Sequence, residues 1–562
     1  MRTYAAIFAL FLAAAAGRGG LRADGGEQPG VLPALKPEAF DRAAAAHLLN
    51  RAGFGGTPEE IEKLHALGLE RAIENLLDPA GTDPLPPFQP TVSEPLDGRS
   101  LAGLSKEERQ KKNRERRMAD QRQLQELRAW WMRRMTLTSR PLEEKMALFW
   151  HGHFATSQRE VQNSYHMFLQ NRTLRTHALG SFKRLVLEIA QDPAMLRYLN
   201  NNRNVKSAPN ENFARELLEL FTLGIGNYSE QDIKEAARAL TGWTLRGNEF
   251  FFAQRQHDSG EKSFLGRKGD FDGKDIMDIV FEQPAAASFI VRKLFVFFAH
   301  DDPPPEAIEA LARAFRSSGF ELRPVLRRLF TSAEFYSARS RGTRIKSPVE
   351  LVVGTLKLLK IDPGDAPACA AAAGQMGQEI FLPPNVKGWE GGRAWVSTST
   401  LSDRYRFVRP LLAVESPPGR PRAARTGEKA RPERKPTVER STVQKPDVEE
   451  PSEKKDATEK PAPSEDENDK AEKKKRARLL DGAARRMPHW DPQRVSQEIL
   501  GERAASLRAE EAVERAAAHF LVVPLSAETR GELTAAYGKG SERNRLAELI
   551  LGITSTPEYQ VH

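Results

Sequence analysis

Cysteine is the scarcest residue here, and its scarcity bounds the chain firmly. Cys369 is the sole cysteine among 562 residues, which excludes an intramolecular disulfide and any zinc cluster built on cysteine. Long apolar runs are missing as well. Beyond Tyr4 to Ala16 no stretch approaches the roughly 20 apolar residues that span a bilayer, so the mature chain is expected to have no transmembrane segment. There is no Gly-rich phosphate loop after a strand and no Gly-x-Ser-x-Gly elbow, the usual sequence marks of two large enzyme classes. Strand-like segments are few.

What is present is a globular chain with polar additions. A hydrophobic content of 40% suffices for a sizeable core, and a formal charge of +9 with a pI near 9.4 favours acidic partners such as an anionic polymer, lipid headgroups or nucleic acid. Arg2, the apolar run and the small residues Ala14, Ala15 and Ala16 before Gly17 read as a secretory signal peptide, with residues 1–23 as signal and leader. Export, to the periplasm or beyond the cell, removes the usual nucleic-acid targets. Residues 36–414 are expected to form a main helical domain and 477–562 a C-terminal helical part. Between them, residues 415–476 are rich in Pro, Lys, Glu and Arg, with too little apolar surface to offset ordering entropy, so a disordered insertion is expected.

Helix punctuation is dense. Thr57, Pro58 and Glu60 supply cap, first-turn proline and capping-box acid, and Ser347, Pro348 and Glu350 repeat the pattern. A long helix is expected from about Ser105 to Met135, and another over Pro141 to Trp150 ending on Gly152 as C-cap, which would leave His151 and His153 on irregular chain. Phe250 to Leu265 reads as one small β-hairpin turning at Asp258, Ser259 and Gly260. The endings Thr331 to Tyr336 and Ser555 to Gln560 echo each other after apolar helices. The fold class is therefore mainly α: a multi-helix bundle or array with one small hairpin and a disordered insertion.

The richest polar stretch runs from Asn210 to Trp243. It reads as two helices, the first burying Phe213, Leu217, Leu220 and Phe221 and carrying Asn212, Arg215, Glu216, Glu219 and Thr222 on its other side. Glu211, Arg215 and Glu219 at four-residue spacing can form a solvated charge ladder worth a few tenths of a kcal/mol per pair. Alternatively this side turns inward toward His151, His153 or His257. A His-x-His pair is a metal-ligand spacing, although histidines at helix C-termini are also common for purely structural reasons. His257 and Asp258 have a solvated Asx turn as their plainer reading.

Six segments in order carry a resemblance: AHLLNRAGFGGTPEEI (46–61), FWHGHF (149–154), NENFARELLELFTLG (210–224), YSEQDIKEAARALTGW (228–243), HDSGEKSFLG (257–266) and PPNVKGWEGG (383–392). Together the chain resembles the bacterial domain-of-unknown-function family 1800. That resemblance implies an exported, mostly helical protein, often encoded beside an exported sulfatase-like family, domain-of-unknown-function 1501. The family's motif positions fall on His151, His153, Asn210, Glu211, Arg215, Glu216, Glu219, Asp232, Arg238, Trp243, His257, Asp258 and Lys262.

Two functions are consistent with these residues. One is a metal-assisted or hydrolase-like enzyme, with His151, His153 and His257 on a divalent metal and Glu211, Arg215, Glu216 and Asp258 as catalytic groups, Glu216 or Glu211 serving as general base. The other is a non-enzymatic binding or scaffold protein of the cell envelope whose motifs form internal networks.

Overall fold

Capping residues written into the sequence set where the helices begin. In the computed structural model Thr57, Ser105, Ser229 and Ser347 each accept from the amide three residues on, and Glu60, Glu108, Asp232 and Glu350 answer with a side-chain oxygen to the cap amide. Residues 32–93, 102–365, 367–412, 487–501, 506–537 and 542–562 are described. The expected signal peptide and leader, and the expected insertion at 415–476, lie outside the described residues.

The chain is mainly α. The long helix runs Lys106–Leu137 and the next Pro141–His153. That second helix stands between two apolar cores. Its Met146 and Trp150 join a cluster with Phe182, Phe213, Leu217 and Phe221, while Ala147 and Leu148 join one with Trp131, Val352, Phe520 and Tyr559. Fully burying one such side chain contributes about 1.5–3 kcal/mol, which is why this helix position is hard to displace. Residues from the C-terminal helices thus share a core with Val349 and Val352 of the Pro348–Leu358 helix. No helix of the described residues is long and apolar enough to cross a membrane.

Three local expectations need correction. Gly152 does not end its helix: the helix runs through His153, and Phe154 ends it with its amide on the Trp150 carbonyl. Burial of Trp150, His151 and His153 on that last turn outweighs the roughly 1 kcal/mol that glycine costs a helix. Nor is there one hairpin but, among the described residues, two. Trp243–Arg246 pairs with Glu249–Phe252, and Lys262–Phe264 with Arg267–Gly269, both antiparallel. Each turns on a two-residue loop of the kind that needs positive φ, with Gly247 at 66° in one and Leu265 and Gly266 at 45° and 82° in the other. Asp258 to Gly260 lies between the hairpins as an Asx turn, the Gly260 amide donating to Asp258 Oδ1 at 2.9 Å. Third, the expected ladder is cut after its first rung, as the next subsection describes.

The echo between the two chain endings is real at the level of geometry. Phe335 N donates to Ser332 Oγ and Tyr559 N to Thr556 Oγ1, each at 3.3 Å, and both aromatics are buried.

Candidate functional site

Three of the six motifs meet around a break in helical register. The helix over Asn212–Glu216 continues as a π segment, Leu217–Thr222, in which Leu223 N reaches back five residues to Leu218 O at 3.0 Å. Such segments widen the turn and leave end carbonyls without helical donors, and they recur at functional sites. Here side chains from elsewhere take those carbonyls. Lys293 Nζ donates to Leu220 O at 3.1 Å, and His153 Nε2 lies 3.1 Å from Phe221 O.

The π segment also explains the broken ladder. Arg215 reaches Glu211 at 3.2 Å as expected, but its second partner is Glu230 on the following helix, at 2.9 Å, rather than Glu219. With the turn widened, Glu219 no longer stands over Arg215 and instead accepts from Tyr228 Oη at 3.3 Å. Hydrogen bonding to Glu230 raises the Arg215 pKa. Glu216, half-buried between these pairs, has its carboxyl pKa raised by burial and then by Glu219, with Lys387 pulling the other way.

The imidazoles face inward. His153 Nε2 donates to the Phe221 carbonyl while Nδ1, 3.2 Å from Lys293 Nζ, accepts from that ammonium, so both ring nitrogens have protein partners. Burial, and then Lys293, push its pKa well below the ordinary value, and burial lowers Lys293 to about 8. His151 Nε2 accepts from the Phe381 amide at 3.0 Å, with Trp131, Phe381 and Trp389 rings around it. Burial, then Arg128, push it down to about 3. The loop 383–392 closes over this turn so tightly that a Cβ on Gly388 would stand 2.3 Å from the Gly152 carbonyl oxygen. Only glycine permits that approach, and its φ of 78° favours glycine too.

His257 and Asp258 belong to a second arrangement. His257 Nδ1 lies 3.0 Å from Thr241 O, and Arg238 holds Asp258 through two bonds of 2.7 and 3.2 Å while also reaching Glu235. The bond from Arg238 keeps the Asp258 carboxyl below its usual range. Asp232 ties this region to its helix: Oδ2 closes the capping box and Oδ1 accepts from Leu265 N at 2.7 Å. Lys262 is buried and bonds Gly260 O and Asp270. The structure therefore joins His151 and His153 with the π segment and the 383–392 loop, but it does not bring His257 to them. Among the described residues no group of three or more His, Cys, Asp or Glu side chains is arranged to hold a metal ion.

Lys293 and Glu144 escaped the sequence reading. Lys293 sits beside Arg292 on an otherwise apolar helix, Pro284–Phe298, and nothing in the sequence tells the buried one of the two from its neighbour. Glu144 reads as a first-turn acid, yet it is fully buried and binds Arg134, Arg175 and the Trp131 indole. Burial alone would raise its pKa; Arg175 and Arg134 outweigh that and hold it low.

The chain matches no curated protein and no solved structure. A family described as "Protein of unknown function (DUF1800)" matches residues 47–561, so that all six motifs are covered but for the first residue. With nearly the whole sequence inside that match, and with the motif segments packed against one another as above, the chain belongs to the domain-of-unknown-function 1800 family.

Proposed function

We propose that this is an exported binding or scaffold protein of the cell envelope, acting in the periplasm or outside the cell beside an exported sulfatase-like partner of domain-of-unknown-function family 1501. One observation carries the reading: the polar motif residues are engaged by the protein itself. Both nitrogens of His153 and one of His151 have protein partners, and Arg215 and Asp258 lie in ion pairs. Internally bonded networks of this kind fix a fold and hold a surface rigid. Beside them Glu219, Lys387 and the half-buried Trp389 present charge and an aromatic face, the composition of a recognition surface.

The test mixes the purified full-length chain with a purified family-1501 protein from the same source. A complex is expected by size-exclusion and calorimetry, and Lys387→Glu should weaken it about tenfold. Absence of any complex at about 10 μM sinks the proposal. An anionic polysaccharide, suggested by the charge of +9, is run in parallel as the competing ligand.

A second reading, a hydrolase-like enzyme, has its own observation. Glu216 carries a raised pKa where motif segments meet, which suits a general acid or base. In its metal-assisted form His151, His153 and His257 would have to leave their present partners. Hydrolysis of ester or glycoside substrates lost in Glu216→Gln supports this reading. Metal analysis of wild type and His153→Ala separates its two forms, since no stoichiometric metal in either leaves only a metal-free enzyme.

A further inference from the structure

Away from the π segment, a small pocket open to solvent lies where the first motif, the Pro348–Leu358 helix and the Ala509–Phe520 helix come together. Its lining is mixed. Phe54, Ile61 and Leu358 are apolar, and Lys346, His519 and His562 are polar and buried. Two of those polar groups have an atom without a partner. His519 donates through Nε2 to the Leu358 carbonyl at 3.0 Å, which leaves its buried Nδ1 as a free lone-pair acceptor. His562 Nε2 is also buried and unbonded, 3.8 Å from the nearest Glu350 oxygen and beyond hydrogen-bond reach. Orphaned buried polar atoms are uncommon and ask for an explanation.

The charges around the pocket are out of balance. Lys145, Lys346, Arg51, Arg344 and Arg404 all feel Glu350, Arg51 and Arg344 feel Asp301 as well, and Glu498 and Glu59, both paired with Lys360, act on His519. Both Glu350 oxygens are already engaged, one by Lys145 and the other by the Ser347 amide. Burial, with Arg404 beside it, pushes Lys346 down to about 7, a cost that an anion next to it would relieve.

We propose that this pocket binds a small hydroxycarboxylate. Its carboxylate accepts from the Lys346 ammonium and His562 Nε2–H, its hydroxyl donates to His519 Nδ1, and its carbon atoms lie against Phe54, Ile61 and Leu358. The hydroxyl is what sets this apart from generic anion attraction. A site built to accept a hydroxyl proton rejects the analogue lacking it, because the acceptor is then left buried and unpaired.

The probes are lactate and propionate, titrated calorimetrically into the full-length protein. Lactate is expected to bind at least about tenfold more tightly than propionate. His519→Phe should erase that difference. Ala518→Trp places bulk at an exposed lining position, where folding is not at stake, and should abolish binding of both acids. Equal affinity for the two acids, no binding of either up to about 10 mM, or binding that persists in Ala518→Trp would each overturn the assignment.

Discussion

Lys293 Nζ lies 3.2 Å from His153 Nδ1 and 3.1 Å from the Leu220 carbonyl, so a single ammonium joins the His-x-His turn to the end of the π segment. Its lowered pKa, about 8, comes from burial on the aromatic face of Phe289. The π register and the imidazole orientation are therefore one unit, held by three bonds among groups far apart in sequence.

Removing that ammonium should loosen both. Lys293→Met leaves the Leu220 carbonyl and His153 Nδ1 without donors and is expected to lower unfolding free energy by about 1–3 kcal/mol in urea titration. A variant as stable as wild type would show that the π segment needs no such brace.

Acid sensitivity follows from His151. Its folded pKa, about 3, is depressed below the ordinary 6.5 by burial and then Arg128, so below pH 6.5 the unfolded chain takes up a proton that the folded chain refuses. Stability is present above 6.5 and declines toward 3, by up to about 1.4 kcal/mol per pH unit from this one group. His151→Gln keeps an acceptor for the Phe381 amide without a titrating ring, and its stability should fall less steeply over that window. Equal slopes for the two proteins, measured by denaturation at stepped pH, would refute the assignment.

Gly388 tests the closure of the loop. Gly388→Ala and Gly392→Ala both strain a positive φ, but only the first drives a Cβ into the Gly152 carbonyl; the second meets open space. The Gly388 variant should be the less stable by about 2 kcal/mol or more in thermal or urea unfolding. Similar melting of the pair would mean the loop gives way easily.

Glu144 is the counter-ion of two arginines. Glu144→Gln leaves Arg175 without its carboxylate and Arg134 with Asp83 alone, 3.5 Å away, and should cost about 3–5 kcal/mol. A loss under about 1 kcal/mol, read from urea midpoints, would indicate that water reaches this network.

Much of the architecture was legible because its causes are local. A serine or threonine cap and the acid three residues on touch each other whatever the rest of the chain does, which is why the starts at Thr57 and Ser347 could be read directly. Two-residue turns are local too, yet the Asx chemistry of Asp258 to Gly260 resembles a hairpin turn more openly than Gly247 or the Leu265–Gly266 pair does, without making one.

The candidate site was legible only as a set of residue types. Its geometry rests on partners 140 and 230 positions apart, Lys293 with His153 and Phe381 with His151. No periodicity encodes such a meeting. The sequence by itself determined the helical class, the helix starts and the family, since these depend on side chains within a turn of one another. Only the tertiary structure decided that the helix would carry on through Gly152, that the π segment would cut the Arg215 ladder and that His257 would stand apart, because each is settled by burial against elements distant along the chain.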